Sequence, residues 1–235
     1  MVKIDIISGF LGAGKTTLIR KLIQQGFQGE KVVLIENEFG EIGIDGGFLQ
    51  EVGVEIREMN SGCICCSLVG DFEESLKEVI TTYTPERIII EPSGVGKLSD
   101  VIKAVESVTS QGEVELNNKI TVVNAAKCNM YMKNFGEFFL NQVEHADSIV
   151  LSRTGGMTDG MLDEVVDQLR VHNHHGTMIT TPWEQLDGAD MLASMEHQHT
   201  LEESMRAELH HDHEHGEHCG CGGHEHDHHH EHGEH

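Results

Sequence analysis

The stretch GFLGAGKT, residues 9–16, constrains the fold of this chain more than any other feature. It matches the pattern G-x-x-x-x-G-K-[ST] of a phosphate-binding loop. The apolar run Val2–Ser8 precedes it, and amphipathic helical spacing follows from about Lys15 to Gln25. A strand, a glycine-rich loop and a helix in this order place backbone N–H groups and a helix N-terminus around phosphates. The alternative, a chance match in a glycine-rich turn, does not predict this context.

Particular residues of the loop have distinct predicted roles. Lys15 supplies a positive charge to the phosphates, and Thr16 offers a hydroxyl to Mg²⁺. Such a site also needs a carboxylate at the end of a neighbouring strand. Glu91 directly follows the apolar segment RIII and is the candidate, against the alternative of an ordinary solvated glutamate. Lys15, Thr16 and Glu91 are therefore the predicted catalytic residues. The predicted nucleotide-binding set is Gly9, Gly12, Ala13, Gly14, Lys15, Thr16, Thr17, Gly94 and Arg153.

Apolar runs alternate with amphipathic segments along the first 195 residues. This alternation predicts an α/β fold with a doubly wound, mostly parallel sheet of the P-loop NTPase type. Strands are predicted at Val2–Ser8, Lys31–Glu36, Val54–Glu58, Arg87–Ile90, Lys119–Val123, Ser148–Leu151 and Thr177–Ile179. Helices are predicted at Lys15–Gln25, Leu68–Tyr83, Leu98–Val108, Phe135–His145 and Gly160–Val171.

The composition changes sharply near residue 196. Of the 18 histidines, only four precede residue 197, and acidic residues and glycines separate the rest. We expect a nucleotide-binding domain at 1–195 and a disordered tail at 196–235, because the tail has too little apolar surface to form a core. Imidazole and thiol groups favour zinc, nickel, cobalt or copper. The predicted tail ligands are His211, His213, His215, His218, Cys219 and Cys221.

The net charge of −24 excludes some classes of partner. Nucleic acids and anionic membranes require basic surface, so neither is an expected partner. The chain shows no secretory signal pattern and no run of 18 apolar residues. A cytoplasmic location is therefore expected, and in that reducing compartment clustered cysteines indicate metal or redox chemistry.

The segment GCICC contains half of the six cysteines in the chain: Cys63, Cys65 and Cys66. Thiolates are soft ligands that suit zinc, copper(I) and iron–sulfur clusters. In an extended loop Cys63 and Cys65 point the same way, so two thiolates reach one metal readily, and three do so if the loop is irregular. Three ligands would leave an open position, which suits a carrier that releases its metal. Buried inert thiols and a redox pair are the alternatives, but redox pairs usually have C-x-x-C spacing.

Four motifs together resemble the CobW-like GTPases, which are relatives of the GTPases that insert nickel into urease and hydrogenase. GFLGAGKTT, NEFGEIGID, GCICC and IIIEPSG occur in the family's order between Val2 and Trp183. The resemblance implies a GTP-hydrolysing metallochaperone that delivers a transition metal, zinc first and nickel or cobalt next, to a client protein. It places an acidic switch on Glu38 and Glu41. It places the metal motif on Cys63, Cys65 and Cys66. Glu38, Glu41, a tail histidine or a ligand from the client protein is expected to fill the open position of that site.

Two departures from the family pattern are visible. The family reads guanine with Asn-Lys-x-Asp, whereas this chain has Ser152, Arg153, Thr154 and Gly155 at that place. The carboxylate is missing, which predicts weak discrimination between GTP and ATP, with the planar group of Arg153 stacked on the base. The second departure is the histidine-rich tail, which stands where many members have a C-terminal domain.

Two other functions fit some of these features. One is a metal buffer on a nucleotide-binding scaffold, favoured by the tail. The other is a P-loop kinase for a small molecule, although no acceptor pocket or basic lid is recognisable. A homodimer that depends on nucleotide or metal is a further expectation.

Overall fold

The computed structural model describes residues 1–36, 55–58, 69–109, 112 and 114–196. Its sheet has seven strands in the order β3-β2-β4-β1-β5-β6-β7, and every neighbouring pair is parallel. The predicted parallel α/β sheet is confirmed. The strands are β1 Val2–Gly9, β2 Val32–Glu36, β3 Glu55–Glu58, β4 Arg87–Glu91, β5 Val114–Asn124, β6 Ser148–Ser152 and β7 Thr177–Ile179.

Helices connect the strands and cover the sheet. They are α1 Lys15–Gln25, α2 Val69–Tyr83, α3 Leu98–Thr109, α4 Cys128–Glu144, α5 Asp159–His172 and α6 at 188–196. Short 3₁₀ turns lie at Ala125–Lys127 and Trp183–Gln185. None of these helices is long and apolar enough to cross a membrane.

The strands alternate their side chains between two apolar layers. In β4, Ile88 and Ile90 join the layer that contains α2, α3, α4 and α5, whereas Ile89 joins the layer that contains α1 and α6. All three side chains have no exposed surface. Helices therefore pack on both faces of the sheet, as a doubly wound fold requires.

Three elements differ from the sequence prediction. β5 begins at Val114 and not at Lys119, because its polar first half still pairs with β1. α4 begins at Cys128, and the predicted start at Phe135 falls where the helix has non-helical angles (φ −129°). α6 was not predicted, although its residues Met191 and Met195 are buried against α1. The predicted tail lies outside the described residues beyond Glu196.

A buried polar network crosses the sheet at the opposite end from the glycine loop. The guanidinium of Arg87 donates to Asp5 at 2.5 Å, to Glu30 at 2.6 Å and to Glu196 at 3.0 Å. Asn117 donates to Asp5 at 2.8 Å. Burial would raise the pKa of Glu196, but the hydrogen bond and charge of Arg87 outweigh it and lower that pKa. The network joins β1, β4 and β5 to the end of α6.

Arg87→Met tests how much this network contributes. Removing the cation leaves the buried carboxylate of Asp5 without its ionic partner, so the free energy of unfolding should fall by about 3–5 kcal/mol. Urea denaturation measures the change. The control is Lys77→Met, which removes an exposed pair with Glu73 and should cost less than about 1 kcal/mol. Equal losses in the two variants would contradict a structural role for the network.

Candidate nucleotide site

The glycine loop lies between β1 and α1 at the carboxyl edge of the sheet. Gly9 has φ +146°, and a Cβ there would lie 2.5 Å from the carbonyl oxygen of Val122. Gly14 has φ +105°, and a Cβ there would lie 3.3 Å from the ring of Trp183. Both positions favour glycine, because a side chain is strained at these φ angles. A Cβ would also collide with Val122 at Gly9, whereas at Gly14 the ring of Trp183 would have to shift by a few tenths of an ångström. The motif spacing reflects these backbone demands as well as phosphate chemistry.

Two side chains from distant elements hold the loop. Ser152, at the end of β6, donates to the carbonyl oxygen of Ala13 at 2.6 Å. Tyr131, in α4, donates to the carbonyl oxygen of Leu11 at 3.2 Å. The loop is thus fixed in place from both sides, which favours preorganised binding of a ligand.

The segment after β4 packs directly on the loop. A Cβ on Gly94 would lie 3.1 Å from the backbone nitrogen of Leu11. Gln142 donates to the carbonyl oxygens of Gly94 at 3.2 Å and Gly96 at 2.9 Å. Gly94, predicted as a phosphate contact, is therefore adjacent to the loop, and its small size allows the approach. Tyr131 and Gln142 were not predicted, since nothing in the local sequence pattern marks a residue whose side chain contacts a distant element.

Lys15 and Glu91 face each other. The Nζ atom of Lys15 lies 3.6 Å from Oε1 of Glu91. Both residues are buried, with 6% and 7% of their surface exposed. β1 and β4 are parallel neighbours, so the loop after β1 and the last residue of β4 meet at the same edge. The two predicted catalytic charges thus come together, and Thr16 follows Lys15 in the first turn of α1.

The strands that lead into the acidic and cysteine motifs end at this same edge. Glu36 of β2 is in register with Glu91 on one side and with Glu58 of β3 on the other. Cys63 follows Glu58 by five residues in the sequence. The predicted metal ligands themselves lie outside the described residues. They are Glu38, Glu41, Cys63, Cys65, Cys66, His211, His213, His215, His218, Cys219 and Cys221.

No group of three or more histidine, cysteine, aspartate or glutamate side chains suited to a metal ion occurs within the described ranges. The transition-metal prediction therefore rests on the motifs and not on this geometry.

A cavity of about 210 Å³ opens beside the glycine loop. Arg153, predicted to stack on a base, lines it and has φ +62°, while its side chain is exposed. Trp183 also lines the cavity, and its indole N–H donates to the carbonyl oxygen of Leu151 at 2.8 Å. Glu184, which also lines the cavity, was not predicted. The complete lining is Ala13, Gly14, Thr17, Ser152, Arg153, Thr154, Gly155, Trp183 and Glu184.

Comparison with protein families and curated relatives agrees with the motifs. The family described as "CobW/HypB/UreG, nucleotide-binding domain" matches residues 3–180. The zinc chaperone YeiR of Escherichia coli is 26% identical over 219 residues, which cover 88% of this chain and 67% of the relative. The zinc chaperone YjiA of E. coli is 32% identical over 160 residues, covering 65% and 49%. The zinc chaperone CobW of Sinorhizobium sp is 40% identical over 128 residues, covering 52% and 36%. The chain therefore spans about one third to two thirds of the length of these relatives.

Solved structures share the fold. Zn(II)-bound YjiA GTPase from E. coli has a TM-score of 0.59 at 22% identity, with 80% of this chain and 62% of that chain covered. HypB from Helicobacter pylori in complex with nickel has a TM-score of 0.56 at 15% identity, with 88% of each chain covered. The family match over residues 3–180 confirms the resemblance inferred from the four motifs.

Lys15→Ala tests the glycine loop. The ammonium group is expected to act on phosphate, so GTP affinity should fall by about 10- to 100-fold, the equivalent of one charged hydrogen bond. Titration calorimetry with Mg²⁺ measures affinity, and circular dichroism checks the fold. The control is Lys21→Ala, two turns further along the same helix, which should bind GTP like the parent. Equal affinity in parent and Lys15→Ala would refute the assignment of this loop.

Proposed function

The chain belongs to the CobW/HypB/UreG family of nucleotide-binding domains, and from that premise we propose that it is a GTP-hydrolysing metallochaperone. One observation carries the proposal. The buried pair of Lys15 and Glu91 lies where β2 and β3 end, immediately before the acidic segment and the cysteine motif. A change at the nucleotide can therefore be transmitted through very short stretches of chain to both metal-ligand candidates.

The nucleotide site contains groups that suit the binding of phosphates and Mg²⁺. Backbone N–H groups of the glycine loop and the Nζ atom of Lys15 hold the phosphates. Hard oxygen ligands suit Mg²⁺, and the hydroxyl of Thr16 and the carboxylate of Glu91 are the candidates to hold it. Mg²⁺ neutralises charge on the β- and γ-phosphates when it is bound. As Lys15 turns to the phosphates, the carboxylate of Glu91 becomes available for this role.

The transition metal is the cargo. Cys63, Cys65 and Cys66 bind it, with Glu38 or Glu41 available as a further ligand from the acidic switch. The relatives named as zinc chaperones support zinc as the first choice, and the nickel complex of HypB supports nickel as the next. Cobalt prefers similar ligands. Hydrolysis loosens the switch and releases the ion to a client metalloprotein.

A metal buffer is the second candidate function. The tail favours it, because many of its histidines can each contribute a ligand to several weakly bound ions. The Lys15–Glu91 pair favours an active hydrolase over a buffer, since a scaffold without activity has no need of two buried opposite charges at a phosphate loop. In the proposed function the tail collects ions and the cysteine motif delivers them.

Two variants separate these metal features. A chain truncated after Glu196 keeps the ion pair between that residue and Arg87. It should lose most bound zinc but retain one tight site whose affinity changes with nucleotide. Replacement of Cys63, Cys65 and Cys66 by serine in the full chain should remove the tight zinc site and keep the weak sites of the tail. The weak sites should lose zinc near pH 6, because their histidines become protonated.

Zinc titration with and without a non-hydrolysable GTP analogue measures both variants. The parent chain under the same conditions is the control. A truncated chain that binds no zinc, or binds it equally in both nucleotide states, would favour the metal buffer.

A further inference from the structure

The cavity beside the glycine loop lacks the acidic side chain that the family pattern has after β6, yet it contains another. We infer that Glu184 reads the guanine base in this chain, its carboxylate accepting from the N1–H and 2-amino groups, with the hydroxyl of Thr154 as a second contact. The inference rests on the proposed nucleotide function and deepens it. It also revises the expectation that GTP and ATP are weakly discriminated.

The position of the cavity makes it the base site. Ala13, Gly14 and Thr17 belong to the phosphate loop and the start of α1, and all three line the cavity. Its volume of about 210 Å³ is below the range of about 300–1,000 Å³ that is usual for pockets that hold whole drug-sized ligands. A base fits such a space while the phosphates extend along the loop outside it.

The aspartate that accepts hydrogen bonds from guanine in the family pattern is absent from this chain. Gly155 stands where the family pattern has aspartate, and no atom lies within 4 Å of where its Cβ would be. A guanine base bound here would leave its two N–H groups without an acceptor from that position. An acceptor must then come from another element that lines the cavity.

Thr154, in the cavity wall, has a buried hydroxyl group without a hydrogen-bond partner among the described residues. The residue is 5% exposed. Buried hydroxyl groups are normally satisfied. A hydroxyl that donates can contact O6 or N7 of guanine, or N7 of adenine, so Thr154 indicates a ligand without selecting the base.

Glu184 supplies the preference for guanine over adenine. It is acidic, and an ionised carboxylate only accepts hydrogen bonds. The Watson–Crick edge of guanine presents two adjacent N–H donors to it, whereas adenine presents an amino group beside an acceptor nitrogen that a carboxylate repels. A carboxylate at this edge therefore favours guanine. Inosine, which lacks the 2-amino group, keeps only one of the two donors.

The turn that contains Glu184 is anchored. The indole N–H of Trp183 donates to Leu151 at 2.8 Å, which fixes the 3₁₀ turn to the end of β6. The Trp183 ring also lies against Gly14 of the glycine loop. The carboxylate is thus carried by a turn that is tied to both walls of the cavity.

Base analogues test the inference on the full chain. Affinities for GTP, ITP, XTP and ATP are measured by calorimetry with Mg²⁺. The parent should bind GTP about 10- to 100-fold more tightly than ITP, the effect of one charged hydrogen bond. In Glu184→Gln this ratio should fall to near one. Binding of XTP should rise, because the amide can donate to the 2-oxo group of xanthine. Glu164→Gln, the same change at an exposed position of α5, should leave every ratio unchanged.

Trp183 provides a second readout, since it is the single tryptophan of the chain. GTP should change its emission in the parent, whereas inorganic triphosphate should not. An unchanged emission on GTP binding would place the base elsewhere and overturn the inference.

The remaining outcomes are distinguishable. Equal affinity of the parent for GTP and ITP, or an unchanged ratio in Glu184→Gln, overturns the role of Glu184 while leaving nucleotide binding intact. Failure to bind any of the four nucleotides overturns the proposed function and this inference together.

Discussion

The opposition of two buried charges, Lys15 and Glu91, is the constraint on which the rest of the site depends. Their atoms lie 3.6 Å apart with little exposed surface. A buried ion pair is a weak source of stability, because desolvation of both charges cancels much of their attraction. Its presence at the carboxyl edge of the sheet is better explained by a role in ligand binding. In the proposed function the lysine binds a phosphate and the glutamate binds a hard cation, and each neutralises the other until those ligands bind.

The parallel sheet places this pair close to the ends of several other strands. Because all strands run the same way, the ends of β1, β2, β3, β4 and β6 occur at a single edge. The glycine loop, the carboxylate and the cavity all lie there. So do the last residues before the acidic switch and the cysteine motif, Glu36 and Glu58, in register with Glu91. In the proposed function this edge is the short route between nucleotide and cargo that a carrier releasing metal on hydrolysis requires.

Local pattern was sufficient for much of this. The glycine spacing, the apolar strand before it and the segment RIIIE identified the loop, β1 and Glu91, because each depends on neighbours in sequence. Contacts made across the fold had no such signal. Ser152 on Ala13, Tyr131 on Leu11 and the wall formed by Trp183 and Glu184 join elements that are more than a hundred residues apart or separated by other strands. The start of β5 was misplaced because its first half is polar, and the start of α4 was placed at Phe135, where the helix has non-helical angles. α6 has only nine residues, which is too short a segment for helical spacing to identify.

The central claim is that the cargo and the nucleotide affect each other through the cysteine motif. The most direct measurement is the steady-state rate of GTP hydrolysis by the full chain, with and without stoichiometric zinc, nickel or cobalt. A matched series uses the chain with serine at Cys63, Cys65 and Cys66. The account predicts that at least zinc changes the rate in the parent and that the serine variant does not respond. Identical rates with and without every metal in the parent, or the same response in both chains, would contradict it.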